Sequence, residues 1–147
     1  MADPVITKLP SRAANGALIP QQGQWIVVAI PARHIYAAKE GAIIKTVTEF
    51  STGRAGYLTP TGTFQIDPNR RYRIHHSSDF SNKNGKGPSM LFSLFFHYGA
   101  AFHCGDPHVP SHGGIHLQLA DAEWLFNWVG NNQVGVKISG PAITVHE

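Results

Sequence analysis

Residues 100–116 read AAFHCGDPHVPSHGGIH, an apolar segment that ends in a histidine and leads into a loop rich in glycine and proline. Residues 100–103 have the apolar character of a buried strand, so the polar residues that follow are predicted to lie at a strand end. Four of the nine histidines of the chain fall within this stretch. They indicate either a surface loop that holds isolated histidines or a site built from imidazole groups, because loops carry function more often than cores do.

Short apolar or alternating segments bounded by glycine and proline recur on both sides of this stretch. Glu40 and Gly41 separate two of them and indicate a hairpin turn. These segments predict β-strands at residues 25–30, 34–38, 43–50, 63–66, 72–75, 90–96, 134–138 and 143–145.

Only residues 121–129 carry apolar side chains at helical spacing. Asp121 is placed to cap or open this helix, and Gly130 is placed to end it. Residues 77–88 are polar and predict a long loop. The sequence therefore predicts a mainly β, β-sandwich-like domain with one principal α-helix.

The composition supports one domain. The chain has 147 residues, of which 42% are hydrophobic and 14% charged, and its 15 glycines and 10 prolines favour short strands joined by turns. We predict an N-terminal arm or loop at residues 1–22 and a catalytic-type domain at residues 23–147.

Charge and cysteine content exclude several classes of protein. The net charge of +3 comes without a run of Lys or Arg, so no nucleic-acid partner is predicted. The single cysteine, Cys104, excludes a disulfide within the chain, and no apolar run is long enough to span a membrane. Residues 1–23 lack the apolar core of a signal peptide. The chain is therefore expected to be a trimmed exported protein, a cytoplasmic protein, or one secreted without such a signal.

Four elements in order resemble the L,D-transpeptidase (YkuD-type) catalytic domain family. Ser111, His112 and Gly113, preceded by a strand that ends in His103, resemble its His…Ser/Thr-His-Gly-Cys signature. Residues 50–64 resemble its STG…TPxGxF element, residues 90–96 its strand leading to the histidine, and residues 121–125 the start of its helix. The resemblance runs from about residue 25 to residue 138.

The resemblance implies a role for each matched position. His103 corresponds to the general base, and Ser111 and His112 shape the nucleophile turn. The oxyanion hole is implied to consist of backbone amides, those of His112, Gly113 and Gly114. His116 stands where many relatives carry Arg, and the resemblance implies that it contacts the substrate at a carboxylate.

The position of the family's cysteine nucleophile is occupied by Gly114, which has no side chain. Thiol acyl transfer needs a thiolate and a base, so this form is expected to be inactive. Two explanations stay open: an engineered Cys→Gly replacement, which the intact surrounding motif favours, or a natural pseudoenzyme. The loop between His103 and Ser111 is also shorter than in many relatives, which predicts a more open pocket.

The resemblance implies a peptidoglycan-modifying L,D-transpeptidase or L,D-carboxypeptidase domain. It would act on peptidoglycan stem peptides through a cysteine acyl-enzyme, as a monomer, without cofactor or metal, in the periplasm or cell wall. Release of the acyl group to an amine or to water is not distinguished by the sequence.

Two alternatives remain open at this point. The first is a hydrolase with a metal site, since six side chains of ligand type cluster here: His103, Cys104, Asp106, His108, His112 and His116. The glycines between the last two make a poor helix, which weakens that hypothesis. The second is a non-catalytic module that binds peptidoglycan. Cys104 is not expected to substitute as nucleophile, because neighbouring residues on a strand face opposite sides.

Overall fold

The computed structural model describes residues 11–13, 16–76 and 89–140. Within them lie twelve strands and one helix: β1 (Ser11–Arg12), β2 (Leu18–Ile19), β3 (Gln24–Ala29), β4 (His34–Lys39), β5 (Ala42–Val47), β6 (Phe50–Ser51), β7 (Gly62–Gln65), β8 (Arg71–Tyr72), β9 (Ser93–His97), β10 (Ala100–Cys104), β11 (Ile115–Leu117), α1 (Leu119–Val129) and β12 (Val134–Ser139). The predicted loop at residues 77–88 and strand at residues 143–145 fall outside the described residues.

Two five-stranded sheets form the body of the domain. The first has the strand order β5-β4-β3-β12-β7, and the second has the order β6-β11-β10-β9-β8. Each contains one parallel pair, β3 with β12 and β10 with β11, while the other pairs are antiparallel. The predicted mainly β, two-sheet architecture is confirmed.

Apolar side chains from both sheets and from α1 form the main core. Ile26 of β3, Phe102 of β10 and Leu125 of α1 belong to this one cluster, and each is at most 3% exposed. Because apolar burial is the main driving force of folding, this shared core fixes the two sheets and the helix relative to one another.

The helix begins earlier than predicted. Its N-cap is Gln118, which makes no capping hydrogen bond with its side chain, so the prediction that Asp121 caps it was wrong. Asp121 lies in the first turn, where a negative charge interacts favourably with the helix dipole, and its carboxylate pairs with Lys45 at 3.1 Å. Gly130 ends the helix as predicted, with its N–H donated to the carbonyl of Phe126. No helix among the described residues is long and apolar enough to cross a membrane.

The turn predicted between β4 and β5 is confirmed. Glu40 and Gly41 have φ values of 50° and 83°, the two left-handed residues that a type I′ hairpin requires. Strand β9, by contrast, starts at Ser93 rather than at residue 90. Phe92 has a φ of 53°, which breaks the extended conformation just before the strand.

The segment predicted as an N-terminal arm or loop contains a small sheet. Strands β1 and β2 pair in antiparallel fashion, and Ile19 is fully buried. Ile19 packs in a second cluster with Val27 and Tyr36, which lie on the opposite face of the first sheet from the main core. This apolar outer face needs a cover, and Ala13, Ala17 and Ile19 provide part of it. The boundary of the domain at residue 23 stays a prediction.

Candidate active site

The parallel pairing of β10 with β11 brings the two halves of the candidate site together. Phe102 lies opposite Ile115, so Gly114, which immediately precedes β11, lies next to Ala101 of β10, two residues before His103. A Cβ atom built on Gly114 would be 3.4 Å from Nε2 of His103. The histidine and the glycine-containing turn therefore meet, although ten residues separate them in sequence.

His103 is a buried, neutral imidazole. Its Nδ1 lies 2.9 Å from the carbonyl oxygen of Cys104, and since a carbonyl only accepts, Nδ1 must carry the proton. Its Nε2 therefore presents a lone pair toward Gly114. The pKa of His103 is lowered to about 4, mainly by burial; the hydrogen bond to Cys104 opposes this shift, and the nearby His116 adds a smaller lowering. At neutral pH the ring can accept a proton or a hydrogen bond at Nε2.

Two buried hydroxyl groups fix the turn from Ser111 to Gly114. The hydroxyl of Ser111 donates to the carbonyl oxygen of Gly114, and the hydroxyl of Thr59 donates to the same oxygen at 3.3 Å. Thr59 in turn accepts the N–H of Gly53 at 2.8 Å. Thr59 and Ser111 are each 3% exposed, so these bonds are shielded from water. The role predicted for Ser111 in shaping the turn therefore has a direct physical basis.

The amide of Gly113 points into the protein. Its N–H donates to the hydroxyl of Ser111 at 3.2 Å, so in this structure it is engaged within the turn, and its role as an oxyanion donor stays a prediction. The φ of Gly113 is 106°, a conformation that favours glycine. The oxyanion role of the His112 and Gly114 amides likewise stays a prediction.

A side chain at Gly114 would force the surrounding backbone to shift. An ideal Cβ there would be 2.7 Å from the carbonyl oxygen of Ala101 and 3.4 Å from its nitrogen. Real Cβ atoms essentially never approach a backbone oxygen so closely. The backbone conformation of Gly114 itself is not the obstacle, since its φ lies outside the left-handed region.

His116 is anchored by the loop that joins β10 to β11. Its Nδ1 lies 3.0 Å from the carbonyl oxygens of both Asp106 and Val109, so Nδ1 is the protonated nitrogen. Its ring meets that of His103 edge to face at a centroid distance of 5.0 Å. Because Nδ1 is engaged, the predicted contact between His116 and the substrate can be made only through Nε2.

Cys104 and the other metal-ligand types do not form a second site. Cys104 packs against the main core, and burial raises the pKa of its thiol, so it is not an activated nucleophile. His108 pairs with Glu49 at 3.5 Å, and His112 contacts Tyr57 instead. Within residues 11–13, 16–76 and 89–140, no three His, Cys, Asp or Glu side chains lie close enough to hold a metal ion.

The outer rim of the turn carries residues that sequence reasoning did not single out. The exposed ring of His112 meets the ring of Tyr57 edge to face at 5.1 Å, and the guanidinium of Arg54 lies 5.2 Å from the Tyr57 centroid. Arg54 and Tyr57 lie within residues 50–64, between the STG and TPxGxF parts of the segment that resembles the family. That position was the signal in the sequence that could have indicated them. Their contact with the turn depends on the bridge between Gly53 and Ser111.

The domain thus combines two sheets with a buried histidine, His103, that faces the Ser111–Gly114 turn. The sequence model of the YkuD family, the L,D-transpeptidase catalytic domain, matches residues 23–138. The chain therefore belongs to the L,D-transpeptidase catalytic domain family. No curated protein gives a significant match to the chain.

Solved structures of L,D-transpeptidases share the fold. One from Stackebrandtia nassauensis is 20% identical, with a TM-score of 0.67, and the match covers 89% of this chain and 58% of that one. L,D-transpeptidase 1 from Mycobacterium tuberculosis is 20% identical, with a TM-score of 0.64 and coverage of 80% and 62%. L,D-transpeptidase 3 from the same organism, solved with a faropenem-derived adduct, is also 20% identical, with a TM-score of 0.64 and coverage of 85% and 64%. The chain thus spans about three fifths of the length of these proteins.

Proposed function

We propose that this domain binds peptidoglycan stem peptides in an L,D-transpeptidase-type cleft and lacks acyl-transfer turnover because Gly114 stands at the nucleophile position. The observation that carries the proposal is the 3.4 Å separation between Nε2 of His103 and a Cβ built on Gly114. A base faces the position from which the attacking atom would come, and that position has no side chain. The family to which the chain belongs acts on peptidoglycan stem peptides, which supports the choice of ligand.

With a cysteine at position 114, each part of the site would have a chemical role. His103 would take the thiol proton at Nε2, and its Nδ1–H bond to Cys104 would hold the ring in the required tautomer. The sulfur would attack the carbonyl of the L,D bond that precedes a terminal D-amino acid, and the amides of His112 and Gly114 would stabilise the oxyanion. The C–N bond would then break, the terminal D-amino acid would leave with the proton held by His103, and a thioester would remain on the sulfur. Transfer of the acyl group to an amine would form a cross-link, and transfer to water would be carboxypeptidase activity.

The close approach of Ala101 to Gly114 favours a domain adapted to glycine. A turn built for cysteine would leave room for Cβ, whereas the distance here is 2.7 Å to a backbone oxygen. This observation supports the pseudoenzyme explanation over a simple replacement of the cysteine. Binding without turnover, in the cell wall or periplasm, is the corresponding role.

Two forms of the protein test the proposal. The chain as it stands should bind a soluble stem tetrapeptide in calorimetry and release no D-amino acid from it. The variant Gly114→Cys, made together with Cys104→Ala so that it holds a single thiol, should gain the mass of faropenem when the two are mixed. Adding His103→Ala should slow that reaction by about 10²–10⁴-fold, the usual worth of a general base.

The controls separate the two parts of the proposal. Cys104→Ala alone should show neither an adduct nor a change in peptide affinity. An unmodified mass for folded Gly114→Cys protein would contradict the nucleophile position. Failure of the original chain to bind the tetrapeptide would contradict the ligand class, whatever the result with faropenem.

A further inference from the structure

We propose that the guanidinium of Arg54, held against Tyr57 beside the Ser111–Gly114 turn, binds the C-terminal carboxylate of the stem peptide and so selects peptides that end in a free D-amino acid. This inference rests on the proposed function and adds a residue that determines its specificity.

The backbone of Arg54 is tied directly to the turn. Its N–H donates to the carbonyl oxygen of Ser111 at 3.0 Å, and the preceding residue, Gly53, forms a parallel bridge with Ser111. A tight turn then follows, closed by the N–H of Tyr57 donating to the carbonyl of Arg54 at 2.8 Å. Any movement of the turn therefore moves Arg54 with it.

The side chain of Arg54 is exposed but oriented. Its Cζ lies 5.2 Å from the ring centroid of Tyr57, and this ring contacts His112 in the turn itself. The two ion pairs among the described residues are Lys45 with Asp121 and His108 with Glu49, so Arg54 has no acidic partner in that part of the chain. An unpaired guanidinium that already rests on an aromatic ring loses less rotamer freedom when an anion binds.

The chemistry of the peptide places a carboxylate near this charge. The carbonyl that faces position 114 belongs to the residue before the terminal D-amino acid. One further residue extends the chain by at most about 3.6 Å, so the terminal carboxylate must lie close to the turn. The planar guanidinium binds a carboxylate through two parallel hydrogen bonds. His116 is less suited to this task, because its Nδ1 is already donated to two loop carbonyls.

The test measures the affinity of the protein for two peptides, and it compares variants of Arg54 with a control variant of Arg73. A stem tetrapeptide with a free C-terminus and the same peptide as its C-terminal amide are titrated into the protein. Arg54→Gln should weaken binding of the acid by about 10- to 100-fold and leave binding of the amide unchanged. Arg54→Lys keeps the charge but cannot form two parallel hydrogen bonds, so it should weaken binding of the acid less than Arg54→Gln does. Arg73→Gln is the matched control, since Arg73 is also exposed and its Cζ lies 5.2 Å from the ring centroid of Phe92. Arg73 directly follows β8, which forms the opposite edge of the second sheet from β6.

Each outcome bears on one of the two proposals. Equal losses for the acid and the amide, or no loss in Arg54→Gln, would overturn the role of Arg54 while leaving peptide binding intact. If the unaltered chain binds neither peptide, the proposed function fails. The carboxylate site is then judged by titrating N-acetyl-D-alanine while following the Arg54 side-chain NMR signal. A saturable shift that N-acetyl-D-alaninamide does not produce supports the site, and the lack of one ends it.

Discussion

Replacing Gly114 with alanine should destabilise the domain although it adds only one carbon atom. The new Cβ would be 2.7 Å from the carbonyl oxygen of Ala101. Ala101 is fully buried in β10, which is held by β9 on one side and β11 on the other, so its oxygen cannot move alone. The turn cannot withdraw freely either, because Thr59 and Ser111 both hold the carbonyl of Gly114.

The size of the effect follows from two opposing contributions. Overpacking a rigid site typically costs about 1–3 kcal/mol. Replacing glycine with alanine also stabilises a protein by about 0.4–1 kcal/mol, because it reduces the freedom of the unfolded chain. The φ of Gly114 lies outside the left-handed region, so no further backbone strain is added. The net loss should be about 1–2 kcal/mol, which corresponds to a fall in Tm of roughly 2–8 °C for a domain of this size.

Thermal and urea denaturation of Gly114→Ala and Gly114→Cys measure this loss. The two variants should lose the same stability within about 0.5 kcal/mol, because both are limited by the Cβ contact rather than by the sulfur. Gly56→Ala serves as a contrast, since its Cβ would meet nothing within 4 Å but its φ is 86°. An alanine variant as stable as the original, or more stable, would refute the argument that the turn has closed around glycine.

Two further predictions concern the buried groups of the site. The pKa of His103 is lowered to about 4, below its ordinary value, so the unfolded chain binds more protons between about pH 4 and 6.5. The contribution of His103 to the free energy of unfolding should be fully present above that range, and the free energy should fall by up to about 3 kcal/mol as the pH drops through it. Urea titrations at several pH values should show this change in the free energy of unfolding with pH, and His103→Gln should reduce it. An equal pH dependence in the original chain and in His103→Gln would assign it to other groups. Thr59→Val should cost about 1–3 kcal/mol, because it leaves the N–H of Gly53 and one bond to Gly114 unmade, whereas Thr59→Ser should cost less. Equal losses in these two variants would show that the methyl group of Thr59, not its hydroxyl, matters.

The sequence was sufficient to place His103 against the Ser111–Gly114 turn, because a strand end and a glycine turn in a recognisable order determine that pairing. It was also sufficient for the type of fold and for the β4–β5 turn at Glu40 and Gly41. These features depend on local patterns, namely apolar runs, turn residues and a motif.

Features that depend on the assembled fold were not predicted. The direction of the Gly113 amide is set by the hydroxyl of Ser111, and the bond from Thr59 to Gly114 joins residues 55 apart in sequence. Burial of Ile19 follows from the apolar outer face of the first sheet, which no pattern within residues 1–22 reveals. For Thr59 and Ile19 the partner lies in another element, and the sequence alone does not state which element that is.

The neutral state of His103 follows from its burial in a site that has no thiol beside it. A thiol of ordinary pKa, about 8.5, would give up its proton to an imidazole of pKa about 4 only at a cost of about 6 kcal/mol. A thiolate formed beside His103 would raise the pKa of the ring by attraction and reduce that cost, so a cysteine and its histidine activate one another. Without the sulfur, only the hydrogen bond to Cys104 opposes the effect of burial, and the ring remains a neutral acceptor. In that state its Nε2 can receive a hydrogen bond from a peptide N–H at neutral pH, which is a recognition role that needs no nucleophile.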